Sequence, residues 1–217
     1  MKQNYQRWLD RELERITAAD RTPRLLLHAC CAPCSSYVLE YLSRYFAITV
    51  LFYNPNISPV SEFALRAEEI TRLTTAMPLN NPVQLIVSDY DPTPFLAIAK
   101  GRETLPEGGE RCTACYRLRL EETARIAKKD GYDYFTTTLS ISPLKDAERL
   151  NAIGGELAAQ YGVPYLYSDF KKRDGYKRSI QLSSDYDLYR QDYCGCAYSK
   201  RDAEQREIPY KNRLHFL

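Results

Sequence analysis

Seven cysteines stand in three short groups that lie far apart in the chain. Within each group at most two residues separate neighbouring cysteines, and the groups are Cys30, Cys31 and Cys34, then Cys112 and Cys115, then Cys194 and Cys196. Thiolates at such spacings are typical of metal and redox sites, and an odd total does not fit a set of paired structural disulfides. A shared site requires a fold that brings the three groups together.

Length and composition are those of an ordinary globular protein. The chain has 217 residues, of which 44% are hydrophobic and 27% charged, and no run reaches the roughly 20 apolar residues of a membrane span. We predict one α/β domain over residues 1–217, with an N-terminal helix over 1–22, a parallel-sheet core over 24–167 and a basic, cysteine-containing C-terminal region over 168–217. The charged N-terminus lacks the apolar region of a secretory signal, which predicts a cytoplasmic protein whose thiols stay reduced.

Basic residues are concentrated locally although the formal net charge is only +2. Five of them lie between Lys171 and Arg178, and more follow in the C-terminal segment YKNRLHFL. Basic residues interleaved with tyrosines can bind phosphates and stack bases. The same pattern is equally typical of a solvated face with long side chains. The sequence leaves both interpretations open.

Strands and helices alternate along the chain. Short apolar runs predict five strands, at 24–28, 48–53, 83–87, 134–138 and 163–167. The segments between them are typical of helices, including one with Pro33 in its first turn and one with Ser58 as N-cap and Pro59 as its first residue. This alternation predicts βαβ units and therefore a Rossmann-like parallel sheet with helices on both faces.

The first cysteine group follows the first predicted strand and precedes a helix. Open parallel sheets bind their ligands beyond the carboxyl ends of the strands, and a helix N-terminus favours thiolate over thiol. Asp89 and Asp169 also follow predicted strands and are candidates for general acids. His28 ends the first strand, where a core role is more typical than ligation.

The spacing of the cysteines favours a polynuclear centre over a single zinc ion. Cys112 and Cys115 form a chelating pair, whereas the side chains of the adjacent Cys30 and Cys31 tend to diverge, which suits a cluster better than one tetrahedral ion. These four thiolates are enough for a [4Fe–4S] cluster. Zinc is not excluded.

The third cysteine group has a different geometry. With one residue between them, Cys194 and Cys196 can form a small strained disulfide that is labile and redox-active, or they can chelate a metal. Cys34 is a fifth ligand, a ligand of a second metal or a buried thiol, and the sequence does not decide among these.

Five blocks in one order resemble the QueH-type epoxyqueuosine reductases. They are HACCAPCS, GRETLPEGGERCTACYRLRLEETA, YFTTTLSISPLKD, DFKKRDGY and LYRQDYCGCAYS, and they extend from about Leu25 to Ser199. The resemblance implies the adenine-nucleotide α-hydrolase (PP-loop) fold with an added metal-binding C-terminal region. CCAPC stands where PP-loop relatives carry a glycine- and serine-rich loop for ATP, which argues against ATP use.

The resemblance also implies an activity and its site residues. The family reduces the epoxide of epoxyqueuosine, at the wobble position of tRNA, to the cyclopentene of queuosine, without cobalamin and with an unidentified electron donor. The implied cofactor is a [4Fe–4S] cluster, with an additional iron ion left open. The implied cluster ligands are Cys30, Cys31, Cys112 and Cys115. Cys194 and Cys196 match the family's CxC motif and are the predicted catalytic pair, redox-active or binding a second metal.

Two other functions remain open from the sequence. A PP-loop-like iron–sulfur tRNA thiolase would share the fold class and the use of cysteines, although the missing ATP loop argues against it. A zinc-stabilised RNA-binding module without catalysis would account for the thiols and the basic segment.

Overall fold

A parallel sheet lies at the centre of the described structure. The computed structural model describes the backbone of residues 3–211 and the side chains of residues 3–204, so the C-terminal basic residues in 212–217 lie outside it. Within this range the sheet has the strand order β3–β2–β1–β4. The strands are β1 (Arg24–His28), β2 (Ala47–Phe52), β3 (Val83–Val87) and β4 (Tyr134–Thr137), all paired in parallel.

Helices connect and flank these strands. They are α1 (Tyr5–Ala18), α2 (Ala32–Leu42), α3 (Val60–Ala76), α4 (Thr93–Ala99), α5 (Glu110–Lys129), α6 (Ala147–Tyr161), α7 (Gly175–Asp185) and α8 (Ala197–Lys211), with a 3₁₀ turn at Thr138–Ile141 after β4. In the part of the chain described, no helix is both long and apolar enough to cross a membrane.

Alternate side chains of the strands enter two separate apolar layers. Leu25 and Leu27 of β1 pack with α1, α2 and α3, whereas Leu26 between them packs with α5 and α6. This alternation follows from the two-residue period of a strand. The Rossmann-like parallel sheet with helices on both faces is therefore confirmed. The division of the chain at residue 168 stays a prediction.

The predicted fifth strand is wrong as a strand. Residues 163–167 run beside β4 but make only one isolated bridge, between Phe135 and Tyr165. The Phe135 amide donates to the Pro164 carbonyl and the Leu166 amide donates to the Phe135 carbonyl. Pro164 has no N–H to extend the ladder, and the hydroxyl of Thr136 donates to the Leu166 carbonyl at 2.8 Å.

The start of α3 also differs from the prediction. Pro59, not Ser58, occupies the N-cap position and the helix begins at Val60. The Ser58 amide instead donates to the carbonyl of Gly195 at 2.9 Å. This bond holds the loop of the third cysteine group against the chain that follows β2.

Gly175 is expected to be essential for packing α7 onto α2. A Cβ at this position would lie 2.0 Å from the Phe170 carbonyl oxygen and 2.5 Å from the Tyr37 ring. Gly175→Ala should therefore lower the free energy of unfolding by about 3 kcal/mol, measured by urea denaturation. Ser184→Ala, an exposed site on the same helix, is the control and should change it by less than about 0.5 kcal/mol. Equal stabilities of the two variants would contradict this packing.

A candidate thiolate site at the sheet edge

The first cysteine group lies in the turn between β1 and α2. Cys31 is the N-cap residue of α2 in an extended conformation, and Cys34 lies in the first turn of the helix. The turn is fixed by Asn54, whose side-chain amide donates to the Ala29 carbonyl at 2.8 Å. These contacts place the three thiols at the carboxyl edge of the sheet, where ligands were expected.

The three thiols of this group converge. The sulfur atoms of Cys30, Cys31 and Cys34 all lie within 4.8 Å of one another, and those of Cys30 and Cys31 are 3.8 Å apart. The expected divergence of the adjacent pair is therefore wrong, because the chain turns into α2 immediately after Cys31. Three sulfurs at these separations form a candidate metal site, and Cys34 belongs to it geometrically.

Cys31 is the most acidic thiol of the three. Hydrogen bonds from the Cys30 and Cys34 thiols lower the pKa of Cys31 well below its usual value, and the Arg66 guanidinium acts in the same direction. Hydrogen bonds with Cys30 and with Cys31 raise the pKa of Cys34. One negative charge is thus stabilised at Cys31 by two neighbouring thiols, an arrangement suited to binding a thiophilic metal.

The other two cysteine groups lie against each other. Cys112 and Cys115 stand in the first turns of α5, and the Cys112 sulfur accepts the Gly108 amide at 3.3 Å. Cys115 and Cys196 are buried in one small apolar cluster. Burial raises the pKa of Cys115 to about 12, so its thiolate requires a compensating positive charge.

Cys194 connects the two sets of thiols. It lines a cavity of about 330 Å³ together with Cys30, Cys31 and Cys34. It also lines a narrow gap with Cys112, Cys115 and Cys196. The structure thus gathers all seven cysteines at one edge, as three thiols and four thiols that meet at Cys194. The four predicted cluster ligands are divided between these two sets.

Three fully buried arginines surround the thiols. Arg66, Arg111 and Arg119 are each at most 2% exposed. Arg66 pairs with Glu62 and donates to the Cys194 carbonyl, and Arg111 donates to three backbone carbonyls and lies over the Tyr198 ring. Guanidinium N–H groups of Arg111 and Arg119 have no hydrogen-bond partner among the side chains and backbone that the structure describes. Buried positive charge and unused donors around thiols fit a bound anionic metal–thiolate group.

Lys145 is a functional candidate that the sequence did not single out. It is 8% exposed, lines the cavity of the first thiol group and pairs with Glu107 at 3.2 Å. Burial would lower its pKa, but the neighbouring Cys194, Tyr116 and Glu107 raise it overall, so the side chain is an ammonium. The only feature of the sequence that could have indicated Lys145 is its position a few residues after the predicted strand at 134–138.

The two carboxylates considered as general acids do not line this cavity. Asp169 pairs with Lys171 at 2.5 Å, and Asp89 is exposed. His28 is buried, its ring nitrogens lie near the Thr137 hydroxyl and the Tyr53 carbonyl, and burial followed by the Arg119 charge lowers its pKa to about 3. A core role for His28 fits these contacts.

The basic segment after residue 170 is partly neutralised. Lys171 pairs with Asp169, Arg173 pairs with Asp10 at 2.5 Å, and Arg178 pairs with Glu40 at 2.6 Å. These pairs favour the interpretation as a solvated face for the three residues involved.

Arg66 is expected to contribute strongly to stability. Arg66→Met would leave the carboxylate of Glu62, whose side chain is 11% exposed, without its cation. The free energy of unfolding should fall by about 3 kcal/mol in urea denaturation. Arg125→Met removes an exposed pair with Glu122 and should cost about 0.5 kcal/mol or less. If the free energy of unfolding falls by the same small amount in both variants, the buried ion pair does not stabilise the fold around the thiols.

Fold and site together define a Rossmann-like protein with a thiol-lined cavity at the carboxyl edge of its sheet. The family model described as epoxyqueuosine reductase QueH matches residues 25–202. The epoxyqueuosine reductase QueH of Staphylococcus epidermidis is 43% identical over 204 residues, which cover 91% of this chain and 85% of the relative. That of Streptococcus pyogenes serotype M1 is 41% identical over 202 residues, which cover 92% of this chain and 79% of the relative.

The chain belongs to the epoxyqueuosine reductase QueH family, a family of oxidoreductases, and the resemblance noted in the sequence is confirmed. Among solved structures, the U34-tRNA thiolase NcsA from Methanococcus maripaludis with its [4Fe–4S] cluster is similar at a TM-score of 0.48 and 12% identity. The match covers 95% of this chain and 75% of the thiolase. This likeness is too remote to bear on function.

Proposed function

We propose that this chain reduces the epoxide of epoxyqueuosine in tRNA to the cyclopentene of queuosine. The observation that carries the proposal is the gathering of all three cysteine groups of this family member at the sheet edge, around a cavity and a narrow gap that are both lined by Cys194. The reaction consumes two electrons and two protons, cleaves both C–O bonds of the epoxide and releases its oxygen as water. The thiols of the cavity wall are suited to electron transfer.

The proposed cofactor is a [4Fe–4S] cluster held by Cys30, Cys31, Cys112 and Cys115. Seven free thiols, one of them acidified, and unused guanidinium donors beside them support a bound anionic cluster. When bound, the cluster supplies electrons one at a time. Cys194 and Cys196 are the proposed redox-active pair, either as a reversible dithiol or as ligands of an additional iron ion. Cys194 borders both sets of thiols, which supports a direct part in the reaction.

The remaining cavity wall binds and orients the substrate. The side chains of Leu139 and Ile141 are buried and exclude water on one side. The Lys145 ammonium lies in the same wall, where it donates a hydrogen bond to the oxygen atom of the epoxide as the C–O bond breaks. Tyr176, 36% exposed at the rim, offers a ring on which a splayed-out base can stack.

The substrate and setting follow from this chemistry. An anticodon-loop base is single-stranded and can leave the stack to enter a cavity of this size. The protein acts on tRNA in the cytoplasm, where its thiols stay reduced and an electron donor, still unidentified, renews the electrons.

The direct test is a reaction with tRNA that carries epoxyqueuosine. Protein reconstituted anaerobically with iron and sulfide, and reduced with dithionite, should convert epoxyqueuosine to queuosine without cobalamin, as detected by mass analysis of the nucleosides. Omitting the reductant is the control. An unchanged nucleoside with iron-replete protein would overturn the proposal. ATP-dependent incorporation of sulfur would indicate a thiolase instead, and colourless zinc-bound protein that only binds RNA would indicate a binding module.

A further inference from the structure

Arg119 links the loops that carry the two sets of thiols. It lies on α5, is 1% exposed, and its Nε donates to the Cys115 carbonyl at 3.3 Å. Its Nη1 donates to the side-chain oxygen of Asn54 at 3.4 Å, and Asn54 in turn donates to the carbonyl of Ala29, the residue before Cys30. A chain of hydrogen bonds thus runs from the second cysteine group to the first through one guanidinium group.

The charge of Arg119 lacks a carboxylate partner. Its guanidinium remains protonated at any physiological pH, yet no salt bridge connects it to an Asp or Glu within residues 3–204. Its Nη2 is buried and has no hydrogen-bond partner in the same range of residues. Its Cζ atom lies 6.0 Å from the centroid of the Tyr116 ring, and the side chain lines the narrow gap together with Cys115, Cys194 and Cys196.

The other two buried arginines make different contacts, although Arg111 likewise has no salt bridge among residues 3–204. Arg66 is neutralised by Glu62. Arg111 uses its Nη1 to hold the loop before α5 through the carbonyls of residues 102, 103 and 105. Arg119 both borders the gap that holds Cys115, Cys194 and Cys196 and is joined through Asn54 to the turn that carries Cys30. A buried cation without a carboxylate partner is strongly unfavourable, and an anionic metal–thiolate centre bound beside this gap would supply the missing negative charge.

We propose that Arg119 is the counter-ion of the metal–thiolate centre and raises its reduction potential. Each electron that enters such a centre adds negative charge, and a fixed buried cation stabilises the more negative, reduced form. Arg119 is therefore a positioning residue that favours acceptance of electrons. This inference rests on the proposed iron–sulfur function, and it identifies a residue that sets the reduction potential of the proposed centre.

The test compares charge removal with charge retention. Arg119→Met removes the charge at similar volume, Arg119→Lys retains it, and Arg125→Met, an exposed change on the same helix, is the control. Redox titration of the reconstituted proteins should show a lower midpoint potential for Arg119→Met than for the wild type. The equilibrium constant for reduction should fall at least tenfold, which corresponds to a shift of about 59 mV for one electron. Arg119→Lys and Arg125→Met should remain close to the wild type. A wild-type potential in Arg119→Met would overturn the proposal.

A second measurement separates this inference from the proposed function. Cobalt(II) titration of the metal-free proteins, followed by thiolate-to-cobalt absorption, should show at least tenfold weaker binding for Arg119→Met than for Arg119→Lys. This readout tests the role of Arg119 even if the wild type binds no iron–sulfur cluster. Absence of a cluster from the wild type would contradict the proposed cofactor but not the role of the Arg119 charge. If Arg119→Met cannot be reconstituted with a cluster, the comparison of cobalt affinities between Arg119→Met and Arg119→Lys still tests the role of the charge. Equal cobalt affinities of the Met and Lys variants would show a structural role and overturn the charge argument.

Discussion

Cys31→Ser is expected to lose the iron and sulfide of the reconstituted protein and to lower the rate of epoxide reduction by about a thousandfold or more. Cys31 is the thiol whose negative charge is stabilised by two neighbouring thiols and by Arg66. Its loss removes the most acidic ligand and leaves a serine hydroxyl that binds iron poorly. Iron and acid-labile sulfide are measured per chain, and turnover is measured by nucleoside mass analysis.

Two further cysteine variants make this result specific. Cys112→Ala should lose iron and sulfide in the same way, because the proposed cluster spans both sets of thiols. Cys34→Ser is the matched control, since it alters a neighbouring sulfur of the same triad that is not a proposed ligand. Full iron and sulfide in Cys31→Ser would contradict the site. If Cys34→Ser loses iron and sulfide while Cys112→Ala retains them, the proposed set of four ligands is wrong. That result would indicate that Cys30, Cys31 and Cys34 bind the cluster.

Cys194→Ser is expected to retain most of the iron and sulfide while turnover falls by about a hundredfold or more. Cys194 lines the cavity and the gap behind it, so its sulfur lies on the route between the two sets of thiols. Serine keeps the shape of the side chain but can neither take part in a dithiol–disulfide exchange nor bind iron as a thiolate. Metal content and queuosine formation are measured on the same preparation.

The control for this variant is Ser184→Ala, an exposed site on α7 that lines neither the cavity nor the gap. It should keep the iron content and most of the turnover. Normal queuosine formation by Cys194→Ser would remove this cysteine from the mechanism. Loss of cluster and turnover together would make Cys194 a cluster ligand and contradict the proposed division of roles.

Local sequence patterns were sufficient to predict the strands and helix ends whose conformation is determined by residues close in the sequence. The apolar runs predicted β1 and β3 with their observed bounds. Gly131 and Gly162 follow helices in the left-handed conformation that commonly ends a helix. The rule that ligands gather at the carboxyl ends of parallel strands placed the first cysteine group correctly. By contrast, VPYLY has the composition of a strand, but Pro164 removes the donor that pairing requires.

The site depends on contacts that no local pattern encodes. Arg119 stands between Leu118 and Leu120 in a helix rich in charged residues, which does not distinguish it from an exposed arginine. Only the packing of α5 against the ends of β1 and β2 shows that its charge is buried beside the thiols. Lys145 is likewise buried by residues distant in sequence, including Glu107. The convergence of Cys30 and Cys31 follows from the turn into α2 and not from their adjacency. Such features need the three-dimensional arrangement because they join distant segments.

The measurement that tests the account most directly is the iron and acid-labile sulfide content of the anaerobically reconstituted wild-type protein, taken together with its visible spectrum. The account predicts equal amounts of iron and sulfide, about four of each per chain, and a broad absorption that bleaches with dithionite. Stoichiometric zinc without sulfide, in a preparation that still converts epoxyqueuosine to queuosine, would contradict it.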